Sequence, residues 1–102
     1  MPALPNTVTQ IVQAFQVYMR QNGGAYGAWY CGVAADPRKR LFQDHNVPEQ
    51  FGQWIYQDAL SDTAARQVEQ YFLARGCKGG PGGGDGDTRY AYLYKVTSQT
   101  KE

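Results

Sequence analysis

The stretch Trp29–His45, WYCGVAADPRKRLFQDH, decides the fold that this sequence predicts. Its first part is strand-like, because apolar side chains alternate with Tyr30 and Gly32, and a period of two places the two sets on opposite faces. The apolar set is Trp29, Cys31 and Val33. A sheet that buries this apolar set therefore presents Tyr30 on its other face.

A helix is predicted directly after this strand. Asp36 is suited to the N-cap, and Pro37 to the first turn, where its missing N–H costs no hydrogen bond. The helix is expected to run to about His45 and to stop before Pro48, since the residue before a proline disfavours helical geometry. Three consecutive cations occupy its start: Arg38, Lys39 and Arg40. They form either a solvated basic face or a site where backbone N–H groups and a guanidinium bind phosphate.

The N-terminal part of the chain predicts a hairpin. Residues 7–14 favour a short helix, and the following segment FQVYMRQ, residues 15–21, alternates as a strand does. NGG at Asn22–Gly24 is a strong hairpin signal, so this strand is expected to pair with the one that carries Tyr30. A hairpin of that kind would place the hydroxyls of Tyr18 and Tyr30 on one side of the sheet.

The C-terminal half predicts two more strands and a helix. QWIYQDAL, residues 53–60, favours a third strand, and SDTAARQVEQYFLARG, residues 61–76, favours a helix with Ser61 as its cap and Gly76 at its stop. A Gly-rich loop at residues 76–88 precedes RYAYLYKV, which predicts a fourth strand at an edge, with three tyrosines on one face.

These elements predict an α+β fold. Its small antiparallel sheet consists of the β-hairpin plus the third strand and is flanked by helices, with an extra C-terminal strand after the Gly-rich loop. A length of 102 residues indicates a single domain, 1–102, with an N-terminal extension at 1–13 and a tail at 97–102.

Composition limits the classes of function. Hydrophobic residues make up 42% and charged residues 19% of the chain, as in soluble globular proteins. Without an apolar run of bilayer length or a signal-peptide pattern, we expect a cytoplasmic protein with no membrane partner, and with Cys31 and Cys77 as free thiols. The net charge of +1 predicts no gross attraction to nucleic acid but leaves room for a local basic cleft.

Two triplets and two single residues occur in an order and at spacings that are typical of one known family. The triplets are Gln16-Val17-Tyr18 and Tyr30-Cys31-Gly32, Arg40 follows Gly32 by eight positions, and Glu69 lies in the alanine-containing helix segment TAARQVEQYF. Through these residues the chain resembles a small single-domain member of the GIY-YIG nuclease superfamily. The resemblance covers roughly residues 15–76.

This resemblance implies a metal-dependent endonuclease that hydrolyses phosphodiester bonds of DNA or RNA. Glu69 would hold one Mg²⁺ or Mn²⁺ ion, and Arg40 would stabilise the charge of the transition state. Tyr18 would help to activate the attacking water, Tyr30 would position it, and His45 would assist.

Three further cations are candidates for phosphate binding: Arg38 and Lys39 at the start of the basic helix, and Lys78 beside the Gly-rich loop. The Gly-rich loop has three interpretations. It is a structural loop that crosses near the cleft, a phosphate cradle beside Lys78, or a cation site at Asp85 and Asp87. The structural loop is favoured. The alternative function is a non-catalytic module of the same fold that binds nucleic acid or a protein partner. A third class, a small scaffold protein without a site, is also left open.

Overall fold

The computed structural model describes residues 8–80 and 88–102. Asp85, Asp87 and most of the predicted Gly-rich loop therefore lie outside the described residues. The described elements, in chain order, are helix α1 (Val8–Asn22), a short 3₁₀ turn (Tyr26–Ala28), strand β1 (Trp29–Ala34), helix α2 (Pro37–Lys39) continued by a π-helical turn (Arg40–Asp44), strand β2 (Trp54–Asp58), helix α3 (Asp62–Ala74) and strand β3 (Tyr90–Lys95).

The predicted N-terminal hairpin is wrong, because residues 8–22 form one continuous helix. Its buried side chains recur at helical spacing: Ile11, Val12, Phe15 and Met19. Gly23, with φ of 80°, ends the helix and donates its N–H to the carbonyl of Met19, 2.8 Å away. The NGG sequence thus provides a glycine helix stop in place of a hairpin turn.

The three strands form an antiparallel sheet in the order β1-β3-β2, which confirms the α+β prediction. The C-terminal strand β3 is central, so its predicted edge position is wrong. In the register of the sheet, Tyr92 lies opposite Gly32 and Tyr94 opposite Tyr30. Directly paired residues share a face, so β1 and β3 present their tyrosines on the same side.

The sheet is the middle of three layers. On one face, the apolar side chains of β1 and β3 pack against α1 and α3, as Phe15 and Phe72 illustrate with ring centroids 5.7 Å apart. On the other face, Tyr30, Tyr92 and Tyr94 pack with Leu41 and Val47, from the helical segment after β1 and the residues that follow it. The strand alternation read from the sequence therefore separates two distinct clusters.

The predicted starts and stops of the last two helices are confirmed. The Asp36 carboxylate accepts a hydrogen bond from the backbone N–H of Lys39 at 3.1 Å, and Ser61 Oγ accepts one from Ala64 N–H at 3.0 Å. Gly76, with φ of 112°, follows the end of α3. Among the helices in residues 8–80 and 88–102, none has the length and apolar character that crossing a membrane requires.

Candidate functional site

Tyr92 and His45 form a buried hydrogen-bonded pair on the tyrosine face of the sheet. The Tyr92 hydroxyl lies 2.7 Å from His45 Nε2, and the Lys101 carbonyl lies 2.6 Å from His45 Nδ1. A carbonyl only accepts hydrogen bonds, so Nδ1 must carry the hydrogen, and in the neutral ring Nε2 accepts from the Tyr92 O–H. This pairing fixes the tautomer and points the basic nitrogen of His45 at Tyr92.

Backbone geometry around His45 sets this orientation. His45 ends the π-helical turn, where its N–H is donated to the carbonyl of Arg40 at 2.8 Å. Asn46 then reverses the chain with a positive φ of 57°. The C-terminal tail returns to the same place, because the N–H of Lys101 is donated to the His45 carbonyl at 2.7 Å. The tail thus contributes a hydrogen-bond partner to the site.

Gly32 provides the space that Tyr92 occupies. A Cβ placed on Gly32 would lie 2.5 Å from the Tyr92 hydroxyl oxygen and 2.6 Å from the adjoining ring carbon. Real contacts of this kind are about 3.4–4 Å, so no larger residue fits here without displacing Tyr92. The close approach of the Tyr92 ring therefore explains why a glycine occupies position 32, the last of the Tyr30-Cys31-Gly32 triplet.

Tyr30 packs directly against this pair. Its ring centroid lies 4.6 Å from that of His45 and 5.1 Å from that of Tyr94. Burial raises the pKa of Tyr30, and a hydrogen bond with the backbone of Gly80 together with the charge of Arg40 opposes this only in part. Tyr30 is thus a neutral phenol at neutral pH, held between His45 and the chain segment at Gly80.

Arg40 connects the buried pair to solvent. Burial raises the pKa of Tyr92 strongly, while the charge of Arg40 and a hydrogen bond from it lower that pKa. The Arg40 side chain is 40% exposed, and its Nε lies 3.4 Å from Asp44 Oδ2. Beside it is a cleft of about 240 Å³, whose lining includes Lys39 and Thr88. Arg40 thus lines an open cleft and is near enough to Tyr92 for its charge to lower that pKa.

Burial also sets the protonation of His45. Desolvation lowers the pKa of His45, and the charge of Arg40 acts in the same direction, against the smaller opposing effect of the Lys101 carbonyl and nearby carboxylates. The ring is therefore neutral at pH 7, as the tautomer assignment requires. A neutral His45 can accept a proton.

Glu69 lies in the layer on the opposite side of the sheet from Tyr92 and His45. It lies on α3, and desolvation raises its pKa while Arg66 lowers it. Its charge in turn acts to raise the pKa of Tyr30. No group of three or more His, Cys, Asp or Glu side chains suited to a metal is found in the described residues. A lone carboxylate fits Mg²⁺ only as part of a site completed by water and substrate phosphate, which is a common arrangement for this ion.

Tyr18 lies away from the other predicted catalytic residues. Its hydroxyl accepts a hydrogen bond from the Trp54 backbone N–H at 2.8 Å, and its ring contacts that of Trp29 edge-on, with centroids 5.8 Å apart. Trp29 belongs to the cluster on the α1 and α3 side of the sheet. The sheet therefore separates Tyr18 from Tyr30, and the prediction that their hydroxyls share a face is wrong because Tyr18 belongs to a helix.

The predicted phosphate-binding cations differ in position. Arg38 forms an ion pair with Glu49, and its guanidinium carbon lies 5.1 Å from the centre of the Phe42 ring. Lys39 lines the Arg40 cleft. The backbone of Lys78 pairs with β1, and its side chain is exposed.

Sequence reasoning missed Tyr92 as a site residue. The alternating tyrosines of RYAYLYKV indicated a common face, but nothing in the sequence identified β3 as the partner of β1. Comparison with protein-family models, with curated proteins and with solved structures finds no match for this chain. The candidate site is therefore argued from its residues and their geometry.

Proposed function

We propose that this protein is a metal-dependent phosphodiesterase that acts on nucleic acid, with Tyr92 in the role that the GIY-YIG resemblance gives to Tyr18. One observation carries the proposal: Tyr30 of β1 packs on the Tyr92 ring, His45 at the end of the π-helical turn hydrogen-bonds its hydroxyl, and Arg40 at the start of that turn lowers its pKa. Adjacent groups with shifted pKa values, here Tyr30, His45 and Tyr92, are typical of catalytic sites.

The strand pairing supports the exchange of Tyr92 for Tyr18. The resemblance calls for two paired antiparallel strands that each present a tyrosine on one face, and β1 and β3 are paired in this way. Tyr92 lies opposite Gly32, the glycine of the second triplet. With this exchange, the strand that carries the first tyrosine of the family pattern is β3, the last strand of this chain. Arg40 and Glu69 still follow Tyr30 in the family order.

The hydrogen bond between Tyr92 and His45 supplies a proton path. An attacking water would give a proton to the Tyr92 oxygen while Tyr92 gives its own proton to Nε2 of His45, so that the phenol is regenerated as the imidazole becomes charged. The Lys101 carbonyl accepts from Nδ1–H and stabilises the imidazolium that results. Arg40, at the cleft, would stabilise negative charge that develops on the phosphoryl oxygens.

Glu69 is the residue that would hold a divalent ion. Such an ion, bound with substrate phosphate, supplies charge stabilisation at the leaving oxygen. Removal of water from the carboxylate raises the pKa of Glu69, and a cation near the carboxylate would offset this effect.

The burial of the pair favours a second candidate function for the same fold. Tyr92 is 1% exposed and His45 is 4% exposed. A module that binds nucleic acid without cutting it does not need water or phosphate to reach these buried side chains. The two candidates differ in whether a phosphodiester bond is broken.

A cleavage assay with Glu69→Gln and Arg40→Ala tests the proposal. Purified protein is mixed with single-stranded, duplex and branched DNA and RNA in Mg²⁺ or Mn²⁺, and binding is measured in parallel. Glu69→Gln keeps the shape and helix propensity of the side chain but removes the charge, so cleavage should fall by orders of magnitude while binding survives. Arg40→Ala should weaken both activities.

Glu49→Gln is the matched control, because it removes a carboxylate in an exposed ion pair and should leave cleavage unchanged. A wild-type protein that cuts none of these substrates, or a Glu69→Gln variant as active as wild type, contradicts the nuclease proposal and leaves the binding module.

A further inference from the structure

A row of partly exposed aromatic rings lies beside the candidate site. Trp54 and Tyr56 of β2 stack with centroids 5.9 Å apart and planes 10° from parallel. Tyr90 of β3 contacts Tyr56 edge-on at 6.2 Å. Each of the three side chains is only partly buried. This half-exposed row lies on the same face of the sheet as Tyr92, since Tyr56 is paired with Tyr92 in the register.

Cations accompany these rings. Arg38 and Tyr56 line the same cleft, and interaction with Tyr56 and Glu49 raises the pKa of Arg38. Arg89 lies over the Tyr90 ring at 5.6 Å and is paired with Asp58 at 3.0 Å. A surface that combines aromatic faces with guanidinium groups is complementary to a chain of bases joined by phosphates.

Two adjoining clefts give this surface its shape. The first, of about 290 Å³, is lined by Ala35, Asp36, Pro37, Arg38, Tyr56 and Tyr90. The second is the Arg40 cleft, and the two share Ala35 and Asp36 in their walls. The first therefore combines two aromatic rings with Arg38 and Asp36. The second combines Lys39 and Arg40 with Asp36 and Asp44.

We propose that these two clefts together bind a nucleotide of a single-stranded nucleic acid, with its base against Tyr56 and Tyr90 and its phosphate beside Lys39 and Arg40. This inference rests on the proposed function for its assumption that the ligand is nucleic acid, and it adds the strandedness of that ligand. A base can enter the first cleft only when it is unpaired, because a duplex keeps its bases stacked and paired inside the helix.

Binding measured in the presence of EDTA tests this inference separately from cleavage, because no metal is then available. The probes are a short single-stranded oligonucleotide, an abasic strand of the same length, and the corresponding duplex. Wild-type protein should bind the base-containing strand about tenfold or more tightly than either of the other probes. Stacking of a base on one or two aromatic rings is sufficient for a difference of this size. Tyr56→Leu should remove this difference, and Tyr56→Phe, which keeps the ring, should retain most of it.

Tyr71→Leu is the matched control. Tyr71 is also a partly buried tyrosine with a guanidinium over its ring, that of Arg75 at 3.5 Å, but it lies on α3 in the opposite layer. Its replacement should leave all three affinities unchanged.

The outcomes separate the two proposals. Equal affinity for the base-containing and abasic strands, tighter binding of the duplex, or a Tyr56→Leu variant that binds like wild type overturns the inference. Base-dependent binding by a protein that cuts nothing would overturn the nuclease proposal and support this one.

Discussion

Gly32→Ala is expected to destabilise the protein strongly although it adds only one methyl group. The new Cβ would lie 2.5 Å from the Tyr92 hydroxyl oxygen and 2.6 Å from the adjoining ring carbon, so the ring has to move by roughly 1 Å to reach normal contact. Tyr92 is 1% exposed, and its ring is packed on Tyr30 and His45. It has little room to move in this direction.

Two effects add to give the magnitude. Overpacking of a dense core costs about 1–3 kcal/mol. Displacement of the ring also weakens the 2.7 Å hydrogen bond between Tyr92 and His45, which contributes about 1 kcal/mol. The free energy of unfolding should therefore fall by about 2–4 kcal/mol, which lowers the melting temperature by at least roughly 8 °C for a domain of this size.

Urea and thermal unfolding followed by circular dichroism measure this change. Gly27→Ala is the matched control, because the nearest atom to its added Cβ is the Gly76 carbonyl oxygen at 3.9 Å, and its stability should stay within about 0.5 kcal/mol of wild type. In a Tyr92→Leu background, Gly32→Ala should cost at least about 1 kcal/mol less, since the ring is absent. A Gly32→Ala variant as stable as wild type would refute the packing argument.

Two further predictions concern stability. Ser61→Ala should lower the free energy of unfolding by about 1 kcal/mol in urea titrations, because it removes the acceptor for the Ala64 N–H, and an unchanged midpoint would contradict this cap. The pKa of His45 is lower in the folded than in the unfolded protein, so the unfolded state binds more protons as the pH falls through about 6.5, and stability should decrease from pH 7 towards pH 5. His45→Gln should show a smaller decrease over this window in the same titrations, and an equal decrease in both proteins would contradict the assignment of a neutral His45.

The elements predicted most accurately are those whose signals are local. Asp36-Pro37 and Ser61 begin helices because a side-chain oxygen caps nearby N–H groups, a requirement that is met within three residues. The strand at Trp29–Ala34 was readable from its alternation, since two different layers cover its two faces. Each of these signals can be read from neighbouring residues in the sequence.

The features that could not be predicted depend on contacts distant in sequence. Phe15, Val17 and Met19 alternate as a strand would, but Phe15 and Met19 are also four apart on a helix, and Val17 is 42% exposed. A short window fits both periods, and burial against α3 decides between them. The pairing of β1 with β3 joins residues about sixty positions apart, and for this reason Tyr92 was not linked to Tyr30 and Arg40.

A comparison of Tyr92→Phe with Tyr18→Phe in the cleavage assay tests the central claim most directly. Both changes remove one hydroxyl and keep the ring, and their folded state is checked by circular dichroism. If Tyr92 relays a proton to His45, Tyr92→Phe should lower the cleavage rate by about 10²–10⁴-fold. Tyr18→Phe should cut at the wild-type rate, because the Tyr18 hydroxyl accepts a hydrogen bond from the Trp54 backbone on the other side of the sheet. A Tyr92→Phe variant that cuts as fast as wild type, or a loss confined to Tyr18→Phe, would contradict the account.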